Sequence, residues 1–328
     1  MTELEGWTVT RHIPVPESVS PEARQTLAAG AAMLEAAKAM TPPSPEDKEA
    51  WRAHIQMSDS LMLGMFEQQA AAVSASVTER MVAGVTVFDV RPEGVDDPDT
   101  APIYLDIHGG ALIMGGGECC RAMATIMAGR SGMRTWSVDY RLPPDHPYPA
   151  GLDDCVTVYR ELLSLRDPSQ IVIGGASAGG NLAAAAILRL RDEGLPLPAA
   201  CVLLSPEVDL TESGDSFQTN LGIDSALPRS LAASNALYAD GADLTSPYVS
   251  PLFGDYTRPF PRTFLQTGTR DLFLSNTVRM HRRLREGGVD AELHVFEAMP
   301  HGGFWGAPED REIAEELRRF LAVTFSTT

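Results

Sequence analysis

The sequence predicts an α/β fold, in which a mostly parallel eight-stranded sheet carries helices on both faces and a helical cap. From about residue 78, short apolar or alternating runs are separated by stretches of helical periodicity, a pattern typical of parallel sheets. The first ~75 residues have helical patterning only. With 328 residues, the chain exceeds a single core of ~250 residues. We therefore expect a main domain with a smaller cap.

Two helices are predicted in the N-terminal cap segment, residues 1–75. Ser-Pro-Glu at 20–22 and Ser-Pro-Glu-Asp at 44–47 each offer an N-cap, a proline at the first helical position and acids in the first turn. Thr-Pro-Pro at 41–43 separates the two helices.

The second predicted helix carries Met62, Met65 and Phe66 at near-helical spacing. This stripe predicts either an ordinary core face or a pliable apolar wall that contacts the substrate.

The main domain is predicted to span residues 76–206 and 256–328. Its strands are predicted near 77–82, 85–90, 103–107, 135–139, 171–174, 200–205, 263–267 and 291–296. Its helices are predicted around 120–131, 151–165, 179–193, 275–287 and 309–322. The first two strands are so close in sequence that they should form an antiparallel hairpin. Residues 207–255 interrupt the alternation with one helix near 228–239, and we expect this insertion to form a second piece of the cap.

The composition favours a small, neutral ligand. The net charge of −18 repels phosphate backbones and anionic lipid surfaces, so we expect neither nucleic-acid nor membrane binding. The only lysines are Lys38 and Lys48, which leaves none for a Ser-x-x-Lys hydrolase or a phosphate-binding loop. The four cysteines have neither zinc-ligand nor disulfide spacing. This spacing leads us to expect a protein without a metal. The N-terminal sequence lacks a secretory pattern, so we also expect a cytoplasmic protein.

The most informative motif is Gly-Ala-Ser-Ala-Gly at 175–179, which lies between an apolar run and a helical run. In this strand, turn and helix setting, small flanking residues permit the strained turn that presents a nucleophilic serine. The motif therefore predicts Ser177 as the nucleophile. The N–H of Ala178 then lies at a helix N-terminus, where it can stabilise an anion.

A second loop, His-Gly-Gly at 108–110, follows the predicted strand at 103–107. Without side chains, Gly109 and Gly110 can direct backbone N–H groups at a developing oxyanion. Together with Ala178 they would provide three preorganised donors.

The remaining members of a catalytic triad should follow later strands, in the order acid and then histidine. Asp271 follows the strand at 263–267, and His301 follows the strand at 291–296. The other histidines lie within predicted helices or strands, beside prolines, or in the N-terminal segment. Asp271 and His301 are therefore the predicted partners of Ser177.

These motifs resemble those of the hormone-sensitive-lipase-like branch of the α/β-hydrolases, which includes the bacterial family IV esterases. The matching strings are residues 108–110, 139–142, 146–150, 153–154, 175–180, 205–206, 209–210, 271 and 301–302. The resemblance implies an α/β-hydrolase core, an N-terminal helical cap and cofactor-free ester hydrolysis. It also assigns Ser177, His301 and Asp271 to the triad, and Gly109, Gly110 and Ala178 to the oxyanion hole.

Three positions depart from the family pattern. Ala111 replaces the third loop glycine, and Ala176 stands before the nucleophile where relatives often have Asp or Thr. Glu207 stands where many relatives have an aromatic residue after Ser-Pro. It could line the acyl pocket or be a solvated hinge residue of the cap, and we favour the hinge.

The sequence thus predicts a serine carboxylesterase that acts on small to medium-chain neutral esters through an acyl-enzyme. The segment from Arg270 to His301 is also similar to that of bacterial lactone hydrolases, so lactone hydrolysis on the same triad is an alternative. A receptor on this fold, as plant gibberellin receptors are, would be expected to lack a triad residue. A homodimer is a further expectation.

Overall fold

The computed structural model describes residues 6, 8–38, 41–95 and 101–326. Residues 1–5, 7, 39 and 40 of the predicted cap segment lie outside this range. The strands β1 to β8 span Ala75–Val82, Val85–Pro92, Ile103–Ile107, Arg134–Asp139, Ile171–Ala176, Ala200–Leu204, Arg262–Gly268 and Ala291–Phe296. The helices α1 to α9 span Pro21–Lys38, Lys48–Ala70, Glu118–Ser131, Ala150–Leu162, Ala178–Asp192, Ser216–Thr219, Ala232–Ala239, Leu274–Glu286 and Pro308–Ser326.

All eight predicted strands are present in one sheet, with the order β1-β2-β4-β3-β5-β6-β7-β8. The strands β1 and β2 form the predicted antiparallel hairpin, and β2 also pairs antiparallel with β4. The other neighbours are parallel. The carboxyl ends of β3, β5, β6, β7 and β8 therefore meet at one edge of the sheet, where loops can bring distant residues together.

Helices cover both faces of the sheet, as predicted. Strand side chains alternate between the faces: Leu105, Ile173 and Leu203 pack with α4, α5 and α8, whereas Tyr104 and Val172 pack with α3 and α9. Because both faces are buried, the central strands are almost entirely apolar.

Of the two predicted helix N-caps, the structure has one and lacks the other. Helix α1 begins at Pro21, and the Ser20 Oγ accepts a hydrogen bond from the Ala23 N–H at 3.1 Å. The prediction that Ser44 caps the second helix is wrong: α2 begins at Lys48, and Asp47 caps it by accepting from the Ala50 N–H at 3.0 Å. Asp is at least as good an N-cap as Ser, and Asp47 directly precedes the amphipathic run.

The two predicted cap segments lie against different parts of the main domain. Leu27 of α1 packs with Met299 and Phe304 around the loop after β8, and Phe66 of α2 packs with Cys119 of α3. In the insertion at 207–255, the predicted helix at 228–239 begins later, at Ala232. No helix in the ranges given above is both long and apolar enough to cross a membrane.

Candidate active site

Ser177 lies in a strained turn between β5 and α5. Its backbone has φ 57° and ψ −123°, which is uncommon for a residue with a side chain. The turn requires glycine at Gly179, because a Cβ there would lie 1.8 Å from the Ile107 carbonyl oxygen. The sequence thus folds locally to place the serine at the N-terminus of α5, at the carboxyl edge of the sheet.

The His-Gly-Gly loop lies directly against this turn. A Cβ on Gly109 would be 3.4 Å from the Ser177 Cβ. Gly110 has φ +130°, and a Cβ there would lie 2.0 Å from the Met114 carbonyl oxygen. No hydrogen bond within the described ranges uses the N–H of Gly109, Gly110 or Ala178. The structure therefore brings the three predicted oxyanion donors to one place and leaves their N–H groups available.

Side chains at the end of β4 support the His-Gly-Gly loop and the segment that follows it. The Tyr140 hydroxyl donates to the His108 carbonyl at 3.1 Å, and the two rings stack at 4.1 Å. Asp139 accepts from the Gly117 N–H at 2.9 Å. Burial lowers the pKa of His108 to about 4, which keeps the ring neutral.

His108, Cys120 and Asp139 also place potential metal-ligand atoms within 4.8 Å of one another. Burial raises the pKa of Cys120 well above its ordinary value. The Cys120 thiol lies 3.5 Å from the Ser137 hydroxyl, whereas His108 stacks on Tyr140 and Asp139 accepts from the Gly117 N–H.

Asp271 and His301 form the predicted pair after β7 and β8. The His301 Nδ1 lies 3.2 Å from the Asp271 Oδ1. Asp271 is fully buried and also accepts from the Thr267 hydroxyl at 2.9 Å and from the Phe273 N–H at 2.8 Å. These bonds fix the carboxylate, which in turn orients the imidazole.

The charges around His301 favour its protonated form. Burial alone lowers the pKa of His301, but the charge of Asp271, their hydrogen bond, and the charges of Asp224 and Glu207 outweigh burial and raise it. For Asp271, burial raises the pKa, but the charge of His301 and the hydrogen bonds from His301, Ser205 and Phe273 together outweigh burial and lower the pKa. The carboxylate therefore stays ionised and can stabilise a protonated imidazole at His301.

Sequence analysis missed a carboxylate that connects the two triad loops. Asp224, fully buried in the insertion, accepts from the Leu272 N–H at 2.7 Å and from the His301 N–H at 3.3 Å. In addition, the Asn220 side chain donates to the Asp271 carbonyl at 2.8 Å, and the Ser216 hydroxyl donates to the Leu272 carbonyl at 2.6 Å. The residue types are ordinary for a polar loop, so no sequence signal singled them out.

The expectation that Glu207 is a solvated hinge residue is wrong. Glu207 is the first residue of the insertion, shortly after β6, and its side chain is only 1% exposed. Its N–H donates to the Ser177 carbonyl at 3.1 Å, and its own carbonyl accepts from the Asn181 side chain at 2.7 Å. Burial raises the pKa of Glu207 to about 8. The residue therefore belongs to the immediate surroundings of the nucleophile.

The three α2 residues predicted as a core face or a substrate-contacting wall differ in their burial. Phe66 is buried against Cys119 and Trp305, Met62 is half-buried beside it, and Met65 is 41% exposed. A cavity of about 450 Å³ lies nearer the N-terminal end of α2. It is lined by Ile55, Asp59, Leu63, Ile113, Leu142 and their neighbours. Met62, Met65 and Phe66 do not line this cavity, and their role in substrate binding stays a prediction.

Comparisons with known proteins identify the family. A family model for the alpha/beta hydrolase fold matches residues 104–305, which include every predicted triad and oxyanion residue. An esterase of Acinetobacter venetianus is 35% identical over 221 residues, covering 66% of this chain and 71% of the relative. An acetyl-hydrolase of Streptomyces hygroscopicus is 32% identical, covering 66% of this chain and 74% of the relative.

Solved structures extend the likeness over nearly the whole chain. The crystal structure of one esterase has a TM-score of 0.86 and 37% identity, and the match covers 96% of this chain and 98% of the other. An esterase from the bacterial hormone-sensitive lipase family has a TM-score of 0.78 and 30% identity, with 93% of this chain and 99% of the other covered.

The chain belongs to the α/β-hydrolase family. Within this family it is a hormone-sensitive-lipase-like esterase, and its activity is that of a serine carboxylesterase.

Proposed function

We propose that Ser177, His301 and Asp271 carry out this hydrolysis, with Gly109, Gly110 and Ala178 as the oxyanion hole. The observation that carries the proposal is the meeting of the Ser177 turn and the Gly109 loop at one edge of the sheet. In the proposed reaction, His301 takes the proton of the Ser177 hydroxyl, which attacks the ester carbonyl. His301 then protonates the leaving alcohol, and a water molecule repeats these steps on the acyl-enzyme.

We propose that the substrates are neutral esters. Besides the overall charge of −18, the carboxylates of Asp271 and Asp224 act on His301. A carboxylate or phosphate on the substrate would be repelled there. The same overall charge supports the expectation that nucleic acids and anionic membranes are not partners. A cytoplasmic location and a homodimer stay predictions.

We further propose a preference for small to medium acyl chains. The cavity beside α2 is finite, at about 450 Å³, and its lining includes the apolar side chains of Ile55, Leu63 and Leu142. Each buried CH₂ contributes about 0.8 kcal/mol until the available space is filled. We therefore expect kcat/KM for p-nitrophenyl esters to peak at roughly four to eight acyl carbons. An optimum at palmitate would contradict this preference and favour a lipase.

The assignment of Ser177 is tested by the Ser177→Ala variant. We expect kcat for p-nitrophenyl butyrate to fall roughly 10⁴-fold or more, because the oxyanion donors alone retain little catalysis. A fluorophosphonate probe should label the parent enzyme and not the variant. Ser164→Ala is the control, because the Ser164 hydroxyl donates to the Glu161 carbonyl just after α4 and not to a proposed triad residue. Labelling lost in the Ser164 variant and kept in the Ser177 variant would refute the assignment.

A further inference from the structure

Several buried polar groups beside the nucleophile have no hydrogen-bond partner. Both carboxyl oxygens of Glu207, the Asn235 Oδ1 and the Tyr238 hydroxyl are buried and unpartnered within the described ranges. No ion pair there involves Glu207 either. Buried polar groups in folded proteins are almost always hydrogen-bonded, so a cluster of unpartnered ones indicates a place where a ligand or water supplies the partner.

These groups face one another between the end of β6 and helix α7. Asn235 and Tyr238 are three residues apart on α7 and so lie on the same side of that helix. The Asn235 side chain lies close enough to the Glu207 carboxyl to lower its pKa, although the contact lacks hydrogen-bond geometry, and the Glu207 carboxyl raises the pKa of the Tyr238 hydroxyl. These three residues therefore form one polar cluster rather than three unrelated unpartnered groups.

The cluster lies next to the reacting groups. The Glu207 backbone is bonded to the Ser177 carbonyl, and the Glu207 carboxyl acts on the charge of His301. With a pKa raised to about 8 by burial, this carboxyl is mostly protonated at neutral pH, so it can both donate and accept a hydrogen bond. A neutral donor and acceptor matches a hydroxyl group and does not match an anion or a cation.

We propose that Glu207, Asn235 and Tyr238 form a polar subsite that binds a hydroxyl group of the ester, so that neutral hydroxylated esters are the preferred substrate class. The proposal rests on the proposed role of Ser177 and His301, because it places the subsite beside them. The hydroxyl can belong to the acyl half or to the alcohol half of the ester, and the two halves can be distinguished by experiment.

The first experiment compares matched substrates on the parent enzyme. One pair is p-nitrophenyl 3-hydroxybutyrate and p-nitrophenyl butyrate, and the other is 2-hydroxyethyl butyrate and propyl butyrate. A site built to bind a hydroxyl discriminates strongly against the analogue that lacks it, so we expect kcat/KM to favour the hydroxylated member of one pair about tenfold or more. The pair that shows the preference identifies the half of the ester. Ratios at or below one in both pairs would overturn the proposal.

The second experiment removes one hydroxyl at a time from the protein. Tyr238→Phe should lower the preference for the hydroxylated ester at least threefold. Tyr104→Phe is the matched control, because the Tyr104 hydroxyl is also buried and unpartnered but lies on the opposite face of the sheet. Equal changes in the two variants would show that the preference does not arise at this cluster.

Variants of Glu207 separate its hydrogen bonding from its size. Glu207→Gln should keep part of the preference, whereas Glu207→Leu should reverse it, mainly through KM. A preference unchanged in Glu207→Leu would contradict the proposal.

Failure of the subsite is distinguishable from failure of the proposed function. A parent enzyme that is labelled by fluorophosphonate but shows no hydroxyl preference refutes only the subsite, whereas an unlabelled parent enzyme refutes the role of Ser177.

Discussion

The N-terminal segment, described over residues 8–38 and 41–74, and the insertion, residues 207–255, contact the main domain at different places. The N-terminal segment combines apolar packing, as of Phe66 against Cys119, with hydrogen bonds such as those that Ser20 donates to Glu309 and Asp59 accepts from the Gly115 N–H. The insertion also packs apolar side chains, but its Asp224 accepts hydrogen bonds from the backbone of both the Asp271 loop and the His301 loop. Both segments were predicted as pieces of one cap, but the insertion is the one whose buried carboxylate bonds the His301 backbone itself.

Holding a helix in place and orienting a catalytic group require different kinds of contact. Apolar contacts are non-directional, so they fix a helix in place without specifying the orientation of a catalytic group. Hydrogen bonds depend steeply on distance and angle, and a buried carboxylate that accepts from two loops constrains both. We therefore expect changes in the N-terminal segment to affect mainly stability and substrate range, and changes in the insertion to affect mainly turnover.

The largest expected effect is on stability and arises in the N-terminal segment. Phe66→Ala removes a buried aromatic ring that packs against Trp305 at 6.0 Å, and should lower the free energy of unfolding by about 3–5 kcal/mol. Met65→Ala changes the adjacent, exposed residue and should cost less than about 0.5 kcal/mol. Urea denaturation followed by fluorescence measures both. Equal losses would show that packing under α2 does not hold this segment.

The next effect is on turnover and arises in the insertion. Asp224→Ala removes the acceptor shared by Leu272 and His301, and should lower kcat about 100-fold with little change in KM, because small misplacements of reacting groups are costly. This loss corresponds to about 2.7 kcal/mol of activation free energy. Asp243→Ala is the control, since the hydrogen bonds of the Asp243 side chain among the described residues come from Thr245, within the same insertion. If the two variants had similar kcat values for p-nitrophenyl butyrate, Asp224 would not position the triad.

A smaller effect distinguishes the two helix starts of the N-terminal segment. Ser20→Ala removes the N-cap of α1 and a bond to Glu309, and should destabilise the protein by about 1 kcal/mol. Ser44→Ala should change stability by no more than about 0.5 kcal/mol, because Asp47 caps α2. Thermal denaturation of the two variants is the measurement. A greater loss in the Ser44 variant would contradict the observed start of α2.

The smallest effect is on the pH profile. His301 must be neutral to accept a proton, and its pKa is raised, so kcat/KM should fall on the acid side with a midpoint above 6.5. Asp224→Asn removes one of the carboxylates that raise this pKa, so the midpoint should move to lower pH. Asp243→Asn should leave it in place. An Asp224→Asn profile that shifts to higher pH would show that the sign of this interaction is wrong.

Most of the fold could be predicted from sequence because each strand is a short apolar run between turns. The proposed triad residues could be selected from sequence, since Ser177, Asp271 and His301 each follow a strand in the required order. Their positions at one edge of the sheet agree with that reasoning, and Asp271 contacts His301 as expected.

The residues that escaped prediction act through contacts that are distant in sequence. Asp224 lies 48 residues from Leu272 and 77 from His301, in a stretch rich in Ser, Asp and Gly that indicates only a loop. The burial of Glu207 could not be predicted either, because it depends on how α7 packs over the end of β6. Amphipathic periodicity identified the exposed and buried sides of α2 only in part, since its partners come from α3 and the His301 loop.

The shared acceptor Asp224 also has a consequence for local opening of the protein. The amide hydrogens of Leu272 and His301 both point at one buried carboxylate, so neither can exchange with solvent through that contact unless the insertion moves away. Local opening of a protein occurs in cooperative units, and groups within one unit exchange together. The insertion, the Asp271 loop and the His301 loop should therefore behave as a single unit in hydrogen exchange, although they are far apart along the chain.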